Sequence, residues 1–256
     1  MQNIESILER DIISEDDFIV IRCDGKGFSK AIARAGIKLP YDKDFHKIMV
    51  TTTEKVLRML FDKGFAYTFS DEVSFILPKE NFVKYGRRIE KLLSLTAGAF
   101  SGIGSMEFNY LDLSPTIFDA KIFAFNNISD VMEYLNQRKT NCLRNFVFSV
   151  ARDYYMKKGM NPNQIAKDVA GVKLKGLIER LLKENFDIYK LPIWQREGTI
   201  VFYESYMKKV KRGPIGSRQV EDIERRRLKN TKPLKFCPGD EQSIDDLING
   251  EYKENK

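Results

Sequence analysis

The chain has 256 residues, 43% of them hydrophobic and 12% aromatic, with a net charge of +7 and an isoelectric point near 9.1. This composition excludes a disordered chain and supports a sizeable core. The cysteines, Cys23, Cys142 and Cys237, are far apart with no CxxC, which argues against a disulfide framework. A single histidine, His46, argues against a His-based metal centre or a Ser/His/Asp triad.

No apolar run approaches the ~18 residues of a membrane span. The N-terminus, "MQNIESILERD", is acidic and amphipathic, unlike a signal peptide. The expectation is a cytoplasmic protein that contacts no membrane. Its positive charge suits a polyanionic partner.

In chain order, residues 18–22, "FIVIR", predict a buried strand that Gly25 and Gly27 interrupt. Helical spacing of Phe45, Ile48, Met49, Thr52, Val56, Met59 and Leu60 predicts a helix over 42–61, ended by Gly64. Residues 65–69 and 73–77 predict a hairpin about Ser70-Asp71-Glu72, closed by Pro78. A second helix is expected over 80–100 and a fourth strand at 118–125, "FDAKIFAF". Strand, helix, strand, strand, helix, strand is the split βαβ, ferredoxin-like order. The predicted class is therefore α+β, an antiparallel sheet with helices on one face. Helical additions are expected over about 129–186, as helices at 129–158, 162–170 and 172–184, followed by a strand at 199–206. Residues 1–206 then form a catalytic domain, and 207–256 a basic arm and polar tail.

In such a sheet the first and third strands pair centrally, so Asp24 and Asp71 can meet at their ends. Two close carboxylates repel each other. A divalent cation relieves that, and magnesium accepts carboxylates, waters and substrate phosphates as ligands. The Gly25 carbonyl is a further candidate ligand. "GKGFSK" offers backbone N–H groups and two lysines to a triphosphate, without the Walker A spacing. The alternative is that Asp24-Gly25 and Asp71-Glu72 are ordinary turns.

The run "RCDGKGFSK", then "SDEVSFIL", then "FDAKIFAF", resembles the tRNA-His guanylyltransferase family, which reads RxDGRxFH, SDExSF and FDGR in that order. "YDKDFHKIM", "QRKTNCLRNFVFS" and "NFDIYKLPIWQREGTIVF" resemble further family elements, and the likeness covers roughly residues 10 to 206. The resemblance implies a polymerase-like palm using two magnesium ions, with ATP, GTP and other NTPs as substrates and tRNA as acceptor, in a homotetramer. It also implies two steps. A tRNA 5′-monophosphate is adenylylated by ATP, and the 3′-hydroxyl of an NTP then attacks that phosphate and expels AMP.

Carried over residue by residue, Asp24, Asp71 and Glu72 would be catalytic, with Asp24, Gly25 and Asp71 holding metal and Glu72 supporting the site. Lys26, Gly27, Phe28, Ser29, Asp42, Lys43, Ser70, Arg87, Arg88 and Lys91 would bind nucleotide. Asn145 matches an asparagine of the family's HINN element and would contact RNA, and charge alone makes Lys208, Lys209, Lys211 and Arg212 candidates for RNA backbone contact. Lys157, Lys158, Lys167, Lys173, Lys175 and Arg225 to Arg227 are further basic candidates, and Trp194 is a candidate for stacking on bases. Two departures stand out: the histidine of the family's HINNLYN element is Leu143 here, and that of its DGRxFH element is Ser29. The first favours the guanylyltransferase-like branch, which repairs tRNA 5′ ends by templated 3′-to-5′ addition, over an enzyme dedicated to one guanosine on tRNA-His; at the second, serine can still donate a hydrogen bond to phosphate but carries no charge. A palm-fold nucleotide cyclase or signalling-nucleotide synthetase is the alternative of another class.

Overall fold

A computed structural model describes residues 13–14, 17–37, 42–212, 219–232 and 239–252. The side chains of Ser29, Lys211 and Arg212, and all of Cys237, lie outside the described residues. Six strands form one antiparallel sheet: β1 (Phe18–Gly25), β2 (Phe65–Phe69), β3 (Glu72–Leu77), β4 (Phe118–Phe125), β5 (Thr199–Arg212) and β6 (Gln219–Thr231). Their order across the sheet is β4-β1-β3-β2-β5-β6. The first four strands thus carry the expected split βαβ, with β1 and β3 central.

Alternation along β1 divides two cores. Ile19, Ile21 and Cys23 pack with α2 (Lys43–Leu60) and α4 (Ile89–Phe108) through Phe45, Met49, Val56, Leu92 and Phe100. Phe18 and Val20 point to the other face, against Val131, Tyr134 and Leu135 of α5 (Ile128–Lys157). A third core joins the far half of α5 to α6 (Pro162–Val169) and α7 (Leu174–Lys183) through Phe146, Val150, Ile165, Leu177 and Leu181. The split-βαβ helices therefore cover one face, and the helical additions close the other.

Three expectations change. A short helix, α1 (Phe28–Arg34), follows the Gly25–Gly27 break. The helix expected over 80–100 is two, α3 (Glu80–Lys84) and α4, because Gly86 and Arg87 take left-handed backbone with φ of 70° and 57°. The division after residue 206 does not separate two packed units. β5 continues to Arg212, β6 returns along it to pair Thr231 with Ile200, and α9 (Glu241–Asn249) buries Ile244, Leu247 and Ile248 in the second core. Only Thr199 to Phe202 of β5 pair with β2. Beyond them β5 and β6 run on as a two-stranded ribbon.

Candidate active site

The register places the carboxylates. Asp24 lies opposite Glu72 in the β1–β3 pair and opposite Asp119 in the β1–β4 pair. The chain turns at Ser70 and Asp71, and Ser70 takes a φ of 49°. The Gly25 amide donates to the Asp71 carbonyl at 3.0 Å. A Cβ built on Gly25 would stand 2.6 Å from Phe28 Cδ2 and 3.1 Å from the Asp71 Cβ, a crowding that glycine avoids. The ends of β1 and of the β2–β3 hairpin therefore meet as the sequence implied.

The electrostatics follow from that meeting. Asp71 is held above the usual carboxylate range by burial and by the Asp24 charge, against a hydrogen bond from the Ser70 hydroxyl at 2.9 Å. Asp24 opens to solvent on its outer side. Burial of its inner side, then the Asp119 carboxylate, raises it, opposed by Arg22, Arg138 and Lys121. Burial also raises Glu72, and Arg138 is the main opposing influence. Both Glu72 oxygens accept from Arg138 of α5, Oε1 from Nε at 2.8 Å and Oε2 from Nη2. Glu72 is thus engaged by a guanidinium and is not a free acid.

The loop after β1 offers less backbone than the sequence suggested. The Gly25 and Lys26 amides already donate to Asp71 and Ile117, and the Lys30 amide to Gly27. Gly27 takes φ 75° and Lys26 is exposed beside it. The Phe28 ring turns inward among Phe45, Phe108 and Phe118 at 3% exposure, so Phe28 presents only backbone to a ligand.

Beside the turn lies a cavity of about 190 Å³. Asp42, Ser70 and Asn145 line it with His46, Phe69, Cys142, Phe146, Ser149 and Trp194. Asp42 caps α2, accepting from the Phe45 amide at 2.8 Å, and Lys43 is exposed next to it. Trp194, on α8 (Ile193–Glu197), stacks on His46 with centroids 4.2 Å apart and planes 11° apart. Burial pushes His46 down to about 4, so its ring is neutral at pH 7. Burial pushes the Cys142 thiol up to about 12, which removes it as a nucleophile.

Other expected residues are not brought to the carboxylates. Arg87, Arg88 and Lys91 follow β3 at its opposite end, roughly 17 Å along the strand from Glu72. There Tyr85 bonds the Leu60 carbonyl, Lys84 pairs Asp62 at 2.6 Å, and Arg88 pairs Glu90. Lys208 and Lys209 are exposed on the ribbon, roughly 30 Å of strand from Thr199. Arg227 and Lys229 both pair with Glu204, and Lys157 and Lys158 pair Asp153 and Glu184. Sequence reasoning missed Asp119 and Arg138. For Asp119, strict alternation in "FDAK" and the β1–β4 register carried the information. For Arg138, the second residue of "QRKTNCLRNFVFS", the likeness of that element to the family carried a signal, but its partner, 66 residues away, was not legible locally.

A palm sheet with two carboxylates at adjoining strand ends is a scaffold suited to phosphoryl transfer, and similarity to known proteins narrows it to nucleotidyltransferases. The family model described as tRNAHis guanylyltransferase matches residues 1–126. The tRNA(His) guanylyltransferase of Schizosaccharomyces pombe is 30% identical over 200 residues, covering 73% of this chain and 76% of that one. Arabidopsis thaliana tRNA(His) guanylyltransferase 1 is 26% identical over 210 residues, 80% of this chain but 36% of that protein's length. Among solved structures, the Saccharomyces cerevisiae tRNA(His) guanylyltransferase superimposes with a TM-score of 0.67 at 21% identity, over 78% of this chain and 91% of that one. A bacterial tRNA(His) guanylyltransferase-like protein in complex with ATP gives 0.68 at 18%, over 93% of both. The chain belongs to the tRNAHis guanylyltransferase family, a family of nucleotidyltransferases.

Proposed function

We propose that this chain adds nucleotide to the 5′ end of a tRNA by phosphoryl transfer at the Asp24–Asp71 site. The observation that carries the reading is the meeting of two strand ends, joined by the Gly25–Asp71 backbone bond, which brings a half-buried Asp71 within electrostatic reach of an exposed Asp24, beside a glycine at which even a Cβ would crowd Phe28 and Asp71. Two acids held above their ordinary range by burial and by neighbouring negative charge suit a site that a cation completes. Their hard oxygens and the Gly25 carbonyl fit magnesium, which when bound supplies charge neutralisation at the reacting phosphate.

The chain's own residues do the rest by positioning. Lys26 and the Gly27 turn stand at the head of α1, where a triphosphate would lie. Asp42 and Ser70 bring the adjoining cavity next to the same turn, so a nucleoside there is within reach of Asp71. In the first step a tRNA 5′-phosphate oxygen attacks the ATP α-phosphorus and pyrophosphate leaves. In the second, an NTP 3′-oxygen attacks the 5′-phosphorus, its proton is lost, and AMP leaves. Lys208 and Lys209, at the distance of the ribbon, suit the RNA backbone away from the reacting end.

Two acceptor readings follow. The relatives' names favour a single guanosine on tRNA-His. Leu143, which replaces the histidine of the family's HINNLYN element, favours templated 5′-end repair. The test offers a full-length tRNA-His transcript and a tRNA lacking its first nucleotide, each with ATP, the four NTPs and Mg²⁺. Extension of tRNA-His alone supports the dedicated enzyme, and restoration of the missing nucleotide on the truncated tRNA supports repair. Extension of neither, with NTP consumed, contradicts a tRNA acceptor.

A further inference from the structure

Glu72 follows Asp71 directly, lies opposite Asp24, and is buried. A third carboxylate so near the cation would compete for it or be stranded without a partner. Arg138 meets that problem with both arms of its guanidinium, at 12% side-chain exposure. The planar fork matches a carboxylate in two parallel bonds, which a lysine cannot reproduce.

The position of Arg138 on α5 adds a second consequence. Arg138, Cys142, Asn145 and Ser149 follow one another at helical spacings of four, three and four, so they share a face. The last three line the cavity beside Ser70. The guanidinium also sits 5.8 Å from the centroid of Phe69, which lines the same cavity from β2. One ion pair therefore joins the hairpin that carries Asp71 to the helix face that walls the nucleoside cavity.

We propose that Arg138 is a positioning residue, whose two-point grip keeps the Glu72 carboxylate off the cation and fixes the Asp71 turn against the cavity wall of α5. This rests on the reading of Asp24 and Asp71 as the cation site. Releasing Glu72 adds a competing ligand, while loosening the turn misaligns the reacting groups.

The test compares the variants R138K, R138Q, E72Q and the double R138Q/E72Q with the full chain. Mn²⁺ affinity is measured on the nucleotide-free protein by counting free Mn²⁺, alongside thermal melts and kcat and KM for NTP in tRNA extension. R138Q should bind Mn²⁺ at least threefold more tightly yet lose about 100-fold in kcat. E72Q should keep its Mn²⁺ affinity within twofold. The double variant should return to within twofold of wild-type affinity while kcat stays low. R138K should keep the affinity and lose about tenfold in kcat, more than it changes KM. Should R138Q fail to fold, R138K and the double variant carry the test. Unchanged Mn²⁺ affinity in a folded R138Q, a gain that persists in the double variant, or wild-type kcat in R138K would each overturn the proposal. If D24N and D71N leave Mn²⁺ affinity unaltered, the cation-site reading itself fails instead.

Discussion

Gly25→Ala is a one-methyl perturbation whose size follows from the structure. The added Cβ would stand 2.6 Å from Phe28 Cδ2 and 3.1 Å from the Asp71 Cβ. Reaching ordinary contact at 3.4 Å requires the Phe28 ring edge to move by about 0.8 Å. That ring has little room, being boxed by Phe118, Phe108 and Phe45 with centroids 4.9, 5.5 and 6.2 Å away. Overpacking of this kind costs about 1–3 kcal/mol. For a chain of this size each kcal/mol lowers the melting temperature by roughly 2–4 °C. The second contact asks the Asp71 Cβ to give by only about 0.3 Å, but it falls on the turn proposed to carry catalysis, so the expected loss of rate is well short of the roughly 100-fold that a 1 Å displacement costs. Differential scanning fluorimetry and a tRNA 5′-extension assay read the two effects separately. Gly98→Ala is the control: its Cβ meets nothing within 4 Å on the outer side of α4, and the change should stabilise by about 0.5–1 kcal/mol. A Gly25→Ala protein with wild-type melting and wild-type extension would refute the account of how β1 and the hairpin meet.

Asp71→Asn should stabilise the metal-free protein at neutral pH by about 0.5–2 kcal/mol while abolishing extension, as expected where a site stores unfavourable charge. The sign follows from the raised folded-state pKa: the wild-type carboxylate opposes folding above its folded pKa, and that opposition fades as pH falls through it. Chemical denaturation at pH 7.5 checks it, and a less stable variant would count against the charge argument. His46 behaves in the opposite sense, because its folded pKa of about 4 lies below the ordinary 6.5. Its contribution is full above about pH 6.5 and is lost as pH falls toward 4, by up to about 3 kcal/mol. His46→Gln should therefore flatten the stability profile over that window; an unchanged slope means that the ring is already solvated. Changing both Lys208 and Lys209 to alanine should weaken tRNA binding and lower the slope of log K against log salt by about one to two, with kcat at saturating tRNA retained. An unchanged slope removes the ribbon from the RNA contact.

How much of this was legible in the sequence depends on how local the determinants were. β4 was read at its observed bounds, and α2, which carries a clear apolar stripe, and α5 to within a residue or two. The pairing of Asp24 and Asp71 followed once the split βαβ order was seen. The break between α3 and α4 was not read, because Gly86 alone is tolerated in a helix and the left-handed Arg87 has no compositional mark. Charge density hid β6. Its Arg225 to Arg227 run looked like a free basic arm, yet Arg227 and Lys229 meet Glu204 across the ribbon. The assignment of Arg87, Arg88 and Lys91 to nucleotide rested on motif position, and the length of β3 carries them to the far end of the sheet. The grip of Arg138 on Glu72 and the His46–Trp194 wall depend on contacts across 66 and 148 residues of chain, which no local pattern encodes.

The most direct test of the central claim follows label from α-labelled ATP into a 5′-monophosphorylated tRNA, without other NTPs and with Mg²⁺. The account predicts a 5′-adenylylated tRNA from the wild-type chain and a loss of at least about 1,000-fold in both Asp24→Ala and Asp71→Ala, with both variants folded and still binding tRNA. Undiminished adenylylation by either folded variant would contradict the claim that these two carboxylates form the phosphoryl-transfer site.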